Sequence, residues 1–127
     1  MENKPKDYKP AKLETREIEL PKIDVTQYIG KKAKIATAQE YEGKHGFFVR
    51  IETDIIDTLG EGQNVIELRA SKIFGLQTDK DGVIGWGKDT KLGVFLAEMK
   101  VQHYNDLKGR EVIVQTQLTD GRKFLTF

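Results

Sequence analysis

Residues 90–100, TKLGVFLAEMK, decide the fold class, because they form the only convincing helical pattern in the sequence. Large apolar side chains recur there at i, i+3, i+4 and i+7, which places them on one face of an α-helix. These side chains are Leu92, Phe95, Leu96 and Met99. Asp89 or Thr90 can cap the first turn, whereas Gly93 lowers the helix propensity by roughly 1 kcal/mol relative to Ala. A single amphipathic helix among strands must bury its apolar face against a sheet or in the mouth of a barrel.

The composition indicates one domain with balanced charge. The chain has 127 residues, with 21 Lys and Arg, 20 Asp and Glu, and no cysteine. That length supports a single hydrophobic core. The lack of cysteine excludes disulfides, thiolate-bound zinc and a thiol nucleophile. A formal net charge of +1 argues against a uniformly basic surface but allows a local basic patch.

The sequence predicts a cytoplasmic protein that does not enter a membrane. No apolar run approaches the roughly 20 residues that cross a bilayer. The first residues, MENKPKDYKP, lack the apolar core of a secretion signal.

Residues 1–24 are predicted to be an extended or disordered tail. They hold all three prolines and few large apolar residues, so they bury too little surface to offset the entropy of ordering. The folded domain is predicted to span residues 25–127.

Three strands are predicted before the helix, each from alternating apolar and polar residues. They cover residues 28–41, 47–56 and 65–71. On the first strand, the pattern predicts that Ala33, Ile35 and Thr37 share a face. On the second strand, it predicts that Phe47, Val49 and Ile51 point inward. On the third strand, it predicts that Ile66, Leu68 and Ala70 point inward. Phe48, Arg50 and Arg69 would then face outward.

A small inserted hairpin is predicted between the third strand and the helix, over residues 72–86. Its turn is DKDG, where Gly82 can take a positive φ. After the helix, one further helical turn is predicted at residues 105–107. Strands at residues 111–118 and 123–127 follow, joined by the turn TDGR.

The order is three strands, one helix and two strands, which predicts a mainly β fold. It matches a five-stranded Greek-key barrel, the OB-fold, with the helix between strands 3 and 4 and a small hairpin insert. The first strand would bend and pair with both halves of the barrel. The alternative is a small open antiparallel sheet with one helix packed across it.

Residues 25–127 resemble the OB-fold single-stranded nucleic-acid-binding proteins, the class that includes replication protein A and bacterial single-strand-binding protein. The resemblance rests on the element order, the position of the helix, and the closing pattern DLKGREVIVQTQLTDGRKFLTF. In that pattern a leucine and a glycine precede a strand, a turn and a short aromatic-bearing strand. The resemblance implies a binding protein rather than an enzyme.

The candidate binding residues combine aromatic rings, which stack on bases, with cations, which contact phosphates. An OB-fold binds its ligand on the face of strands 2 and 3, and the outward row there predicts the first part of the site. This part contains Phe48, Arg50 and Arg69, followed by Lys72. The alternative for Phe48 is that the tail or the insert covers it.

A second part of the predicted site lies in the insert and in the last strands. Phe74, Trp86 and Lys88 belong to the insert, where Trp86 either clamps a flat ligand or anchors the insert to the barrel. Lys123 lies on the last strand. Weaker candidates are Gln115, Gln117, Lys31, Lys32 and Lys34, because exposed strand residues of these types are most often merely solvated.

No catalytic or metal-binding pattern is found, so an enzyme is not expected. His45 and His103 have no nearby ligand at metal-binding spacing. Asp54 and Asp57 would face opposite sides of a regular strand. No cofactor is expected.

The sequence therefore predicts binding of single-stranded nucleic acid, with DNA favoured over RNA. Two alternatives use the same barrel: a protein–protein interaction module, and a structural subunit with Phe48 and Trp86 buried inside the domain.

Overall fold

The computed structural model describes residues 10–17 and 24–127. The predictions for residues 1–9 and 18–23 of the tail lie outside the described residues. Residues 10–17 belong to no helix or strand and are exposed to solvent. The remaining residues form a mainly β structure around one core.

The architecture is a curled antiparallel sheet with short hairpins and one helix added to it. Residues 24–127 contain ten strands: β1 (Lys32–Gly43), β2 (Gly46–Thr53), β3 (Asp57–Leu59), β4 (Ile66–Leu68), β5 (Ser71–Gly75), β6 (Gln77–Thr78), β7 (Ile84–Gly85), β8 (Glu111–Ile113), β9 (Gln115–Thr119) and β10 (Arg122–Thr126). The helix, α1, is Lys91–Glu98, and 3-10 turns lie at Val25–Tyr28, Gly62–Asn64 and Tyr104–Leu107.

The main sheet has four strands in the order β5-β2-β1-β8 and forms a half-barrel. The long first strand has two neighbours: it pairs with β8 through its beginning and with β2 through the rest. A register irregularity lies between Ile35 and Thr37. It reverses the side-chain alternation, so Ile35 is buried while Thr37, predicted on the same face, is exposed.

The predicted helix is confirmed, and its apolar face packs on the core. Leu92 and Leu96 are buried, and Phe95 and Met99 are half-buried against the same cluster. The Thr90 hydroxyl accepts a hydrogen bond from the Gly93 amide at 3.2 Å, so Thr90 is the N-cap.

One predicted strand before the helix was placed wrongly. Residues 65–71 are not the third strand of the sheet: β4 pairs locally with β3, and β5 is the strand beside β2. Thr53 fixes the chain between β4 and β5, because its hydroxyl accepts a hydrogen bond from the Ala70 amide at 3.0 Å. Ala70 is therefore buried as predicted, while Ile66 is half-exposed in the local hairpin.

The insert is smaller than predicted. It consists of β6 and β7, joined by a turn in which Gly82 has a φ of +81°. The first residues assigned to it by sequence, residues 72–75, belong to β5 instead. The predicted helical turn after α1 is present as the 3-10 turn, which buries Tyr104 and Leu107.

The predicted fourth strand divides at Val114, which is fully buried. The Val114 amide donates to the Lys31 carbonyl at 2.8 Å and its carbonyl accepts from the Gly30 amide at 2.9 Å. β9 and β10 then form the predicted hairpin, with Asp120 and Gly121 both at positive φ. This hairpin adds Leu125 and Phe127 to the core.

Candidate functional site

The outer face of β1, β2 and β5 carries one continuous array of side chains. Directly paired residues of antiparallel strands lie on the same face. The pairing aligns Tyr41 with Phe48 and Gly75, and the next outward row aligns Gln39 with Arg50 and Ile73. On the other face, Val49 and Ile51 are 0% exposed, as predicted for the inward row.

The centre of this outer face is a pair of aromatic rings. The rings of Tyr41 and Phe48 are stacked, with 5.6 Å between their centroids and 27° between their planes. Tyr41 is exposed and Phe48 is half-buried. Gly75 lies beside Phe48, and a Cβ built there meets no atom within 4 Å. The two stacked rings therefore form an aromatic cluster that solvent reaches.

Arg50 lies one row from the aromatic pair and is exposed. Its Nε atom lies 3.5 Å from Oε1 of Glu52, which offsets part of its charge. Ile73, its neighbour on β5, is 59% exposed. The outer face thus combines stacked rings, one guanidinium with its neighbouring Glu52 carboxylate, one amide and one aliphatic side chain.

Lys72 and Phe74 do not join this face, because they alternate to the inner side of β5. Phe74 is paired with Val49 and is only 6% exposed. The Lys72 ammonium donates to the Phe127 main-chain oxygen at 2.6 Å. It also lies over three rings, those of Phe74, Phe95 and Phe127, at 5.9, 5.4 and 5.7 Å from their centroids. Both residues therefore bind β5 to the last strand and the helix.

The other predicted cations are spread over separate elements. Arg69 donates from Nη1 to the Thr53 carbonyl at 3.2 Å. Lys88 is exposed in the loop before α1, and Lys123 is exposed on β10 opposite Leu118. Neither of these two lysines belongs to the four-stranded sheet.

The weaker candidates also lie away from the aromatic pair. The Lys31 ammonium lies over the Tyr28 ring, 5.2 Å from its centroid. The Lys32 ammonium lies 3.7 Å from Oε1 of Glu111. Lys34 is exposed on β1. Gln115 and Gln117 are exposed on β9.

Trp86 is half-buried and packs against the core from the loop after β7. Its ring centroid lies 5.2 Å from that of His103 and 5.6 Å from that of Tyr104. Trp86 therefore anchors the insert to the connector after the helix. It also borders a cavity, so anchoring and ligand contact are compatible.

Among the described residues, three exposed aromatic side chains escaped the sequence prediction. Tyr41 is the cross-strand partner of Phe48, and Phe124 is 51% exposed on β10 opposite Gln117. Phe47, predicted to point inward, is 36% exposed. The signal for Tyr41 was present in the turn EGKHG. A two-residue hairpin turn at Lys44 and His45 places position 41 opposite position 48.

Two tyrosine–carboxylate hydrogen bonds join distant parts of the chain. Tyr28 donates to Oδ2 of Asp57 at 2.6 Å, and this bond lowers the pKa of the Asp57 carboxyl. Tyr104 donates to Oε2 of Glu40. Burial, and then the hydrogen bond to Glu40, raise the pKa of Tyr104 to about 12, so its hydroxyl stays protonated at neutral pH.

The described part of the chain contains no group of three or more His, Asp or Glu side chains that could hold a metal ion. Within residues 10–17 and 24–127, no helix has the length and apolar content that crossing a bilayer requires. Comparison with protein-family models, with curated proteins and with solved structures finds no match to this chain.

Proposed function

We propose that this protein binds single-stranded nucleic acid, with DNA preferred, on the outer face of β1, β2 and β5. Bases would stack on Tyr41 and Phe48, and Arg50 would contact a phosphate. The observation that carries the proposal is the solvent-accessible stacked pair with an exposed guanidinium one row away. Aromatic platforms bind bases without strong sequence preference, because every base has a π face.

A five-stranded barrel of the OB type is part of this proposal. Its support is the pairing of β1 with both β2 and β8, the position of α1 between β5 and β8, and the final β9–β10 hairpin. The Lys72–Phe127 hydrogen bond brings the end of this hairpin to β5. In such a barrel the proposed face is the usual ligand face.

The test is fluorescence anisotropy of a labelled mixed-sequence single strand of about 20 nucleotides, longer than the roughly 4–16 that one OB-fold covers. We expect binding that weakens as salt is raised, since phosphate contacts release counterions. A duplex of the same sequence should bind poorly. A deoxyribose and a ribose strand compared in parallel test the preference for DNA.

Phe48→Ala should weaken binding by roughly 1–3 kcal/mol, the usual contribution of one stacked base. Phe48→Tyr keeps a ring and should retain affinity. Phe124→Ala is the matched control, because it removes an exposed phenylalanine from β10. Absence of binding at low salt, or equal affinity of Phe48→Ala and the unchanged chain, would contradict the proposal.

Ile73 favours a second candidate function, the binding of a protein partner on the same face. Its aliphatic side chain is 59% exposed beside Arg50, and an apolar residue there contributes little to phosphate binding. This reading predicts no nucleic-acid binding at any salt concentration. It also predicts loss of partner binding in Ile73→Asp.

A further inference from the structure

A second candidate site lies on the other side of the β1–β2 hairpin. It is a cavity of about 280 Å³ between the hairpin, the insert and the connector after α1. The residues that border it and could recognise a ligand are Glu40, Phe47, Trp86, His103 and Tyr104. Glu40 and Phe47 directly precede Tyr41 and Phe48, so the cavity and the outer face flank the same end of the sheet.

Aromatic rings form much of the cavity wall. The planes of Trp86 and Tyr104 are inclined by 59°, and those of His103 and Tyr104 by 38°. Phe47 was predicted to be buried, yet it is 36% exposed because it borders this opening. Inclined rings with an open side leave room for a further flat ring to pack against them.

The cavity also contains a hydrogen-bond acceptor. The Tyr104 hydroxyl donates a hydrogen bond to one carboxylate oxygen of Glu40, Oε2. An ionised carboxylate has further acceptor capacity, chiefly at Oε1. Tyr104 is a donor at neutral pH, as an ordinary tyrosine is, and burial followed by the bond to Glu40 raises its pKa further, to about 12. The hydrogen bond from Tyr104 therefore holds the Glu40 carboxylate at the cavity edge, where Oε1 can accept a further hydrogen bond from a ligand.

His103 supplies a complementary donor. Its Nδ1 atom accepts a hydrogen bond from the Asn105 amide at 3.0 Å. The neutral imidazole must then carry its proton on Nε2. A ligand suited to these groups is flat, presents donors to Glu40, and has an acceptor for His103.

We propose that this cavity binds a single nucleobase, and that guanine fits it best. Unstacked bases are recognised by packing on aromatic rings and by hydrogen bonds along the Watson–Crick edge. Guanine presents two adjacent donors there, N1–H and the N2 amino group, and the carbonyl O6 beside them. Adenine and cytosine present one amino group. Uracil and thymine present N3–H between two carbonyl oxygens, which a carboxylate repels.

The inference goes beyond the proposed outer-face binding and does not depend on it. An ammonium group is the main competing ligand, since aromatic rings and a carboxylate also bind cations. The Nε2–H of His103 favours the nucleobase, because a cation gains nothing from a hydrogen-bond donor. Binding of tetramethylammonium is accordingly an outcome of the test.

The experiment uses the fluorescence of Trp86, the only tryptophan in the chain. The full chain is titrated with the 5′-monophosphates of guanosine, adenosine, cytidine and uridine, and with tetramethylammonium. Free N-acetyltryptophanamide corrects for absorption by the nucleotides. We expect a saturable change with guanosine monophosphate and an affinity about tenfold or more above that of uridine monophosphate.

Glu40→Gln should lower the affinity for guanosine monophosphate by about tenfold or more, the usual effect of losing a charged acceptor. Glu42→Gln is the matched control: it is the same change two residues along β1, at a side chain that does not line the cavity. Equal affinities for the guanosine and uridine nucleotides, no saturable change, or tighter binding of tetramethylammonium would overturn the proposal.

The two proposed sites can fail separately. Phe48→Ala should keep mononucleotide binding in the cavity while it weakens binding of the labelled strand. Mononucleotide binding without strand binding would retain the cavity and reject the outer face. Strand binding without a Trp86 response to guanosine monophosphate would retain the outer face and reject the cavity.

Discussion

Tyr41 and Phe48 come from different strands and stack across the ladder, with ring centroids 5.6 Å apart. Each ring therefore positions the other on the outer face. In the proposed site, a base that stacks on one ring would also meet its neighbour. The proposed surface therefore depends on both rings and on the register of the β1–β2 hairpin.

The two rings should be energetically coupled in the absence of ligand. We expect a double-mutant cycle of Tyr41→Ala and Phe48→Ala to give a coupling of about 0.5–1.5 kcal/mol in the free energy of unfolding, as for other aromatic pairs. Urea unfolding, followed by Trp86 fluorescence, measures it. A cycle of Tyr41→Ala with Phe124→Ala is the control and should be additive.

Gly93→Ala should destabilise the protein although alanine is the better helix former. A Cβ at Gly93 would lie 2.3 Å from the Gly87 carbonyl oxygen and 2.7 Å from that of Lys88. The close approach of helix and loop therefore requires glycine, and the clash outweighs a propensity gain of roughly 1 kcal/mol. Overpacking of this kind typically costs about 1–3 kcal/mol.

Thermal unfolding of Gly93→Ala and of Val94→Ala tests this explanation. Val94 is 46% exposed on the same helix, so its replacement should leave the melting temperature unchanged or slightly raised. A Gly93→Ala variant as stable as the unchanged chain would show that the loop before α1 moves away at little cost.

Local patterns explain which parts of this fold could be predicted from sequence. The apolar spacing of Leu92 and Leu96 depends only on the helix itself, and the turn at Asp120 and Gly121 depends only on backbone conformations that few residues adopt. Both predictions are confirmed. The prediction for Thr37 failed because the irregularity in β1 is set by its pairing with β2 and β8.

The residues of the candidate site also divide into those that local alternation predicted correctly and those that it did not. Phe48 and Arg50 lie where strict alternation along β2 puts them. Lys72 and Phe74 were assigned to the inserted hairpin, because the predicted third strand ended at residue 71. Their true positions on β5 follow from contacts with residues far along the chain, such as Phe127. Sequence alternation alone does not contain that information.

The Tyr28–Asp57 hydrogen bond should contribute stability that depends on pH. It lowers the pKa of the Asp57 carboxyl below its ordinary value of 3.8. The contribution is therefore present above that value and is lost as the pH falls through the folded-state pKa. Asp57→Asn should lower stability near neutral pH and flatten the acid side of the stability profile.

Urea unfolding as a function of pH measures this effect. Asp54→Asn is the control, because Asp54 is an exposed aspartate three residues away. Tyr28→Phe should reproduce the flatter acid profile of Asp57→Asn, since it removes the donor. Parallel profiles for the unchanged chain and Asp57→Asn would mean that the bond does not form in solution.

Tyr104 should produce the opposite dependence at alkaline pH. Its folded-state pKa is raised to about 12, first by burial and then by the bond to Glu40, whereas an ordinary tyrosine titrates near 10. As the pH rises, the unfolded chain loses the phenol proton first. The stability contributed by the protonated hydroxyl is thus complete below about pH 10 and is lost between about pH 10 and 12.

Two measurements check this expectation on the unchanged chain and on Tyr104→Phe. Ultraviolet absorbance of tyrosinate should show a phenol with a pKa of about 12 that disappears in the variant. Unfolding at about pH 11 should show a smaller stability difference between the two proteins than unfolding near neutrality. An unchanged difference would mean that Tyr104 ionises equally in both states. Glu40 would then lack the fixed donor that holds it at the edge of the cavity.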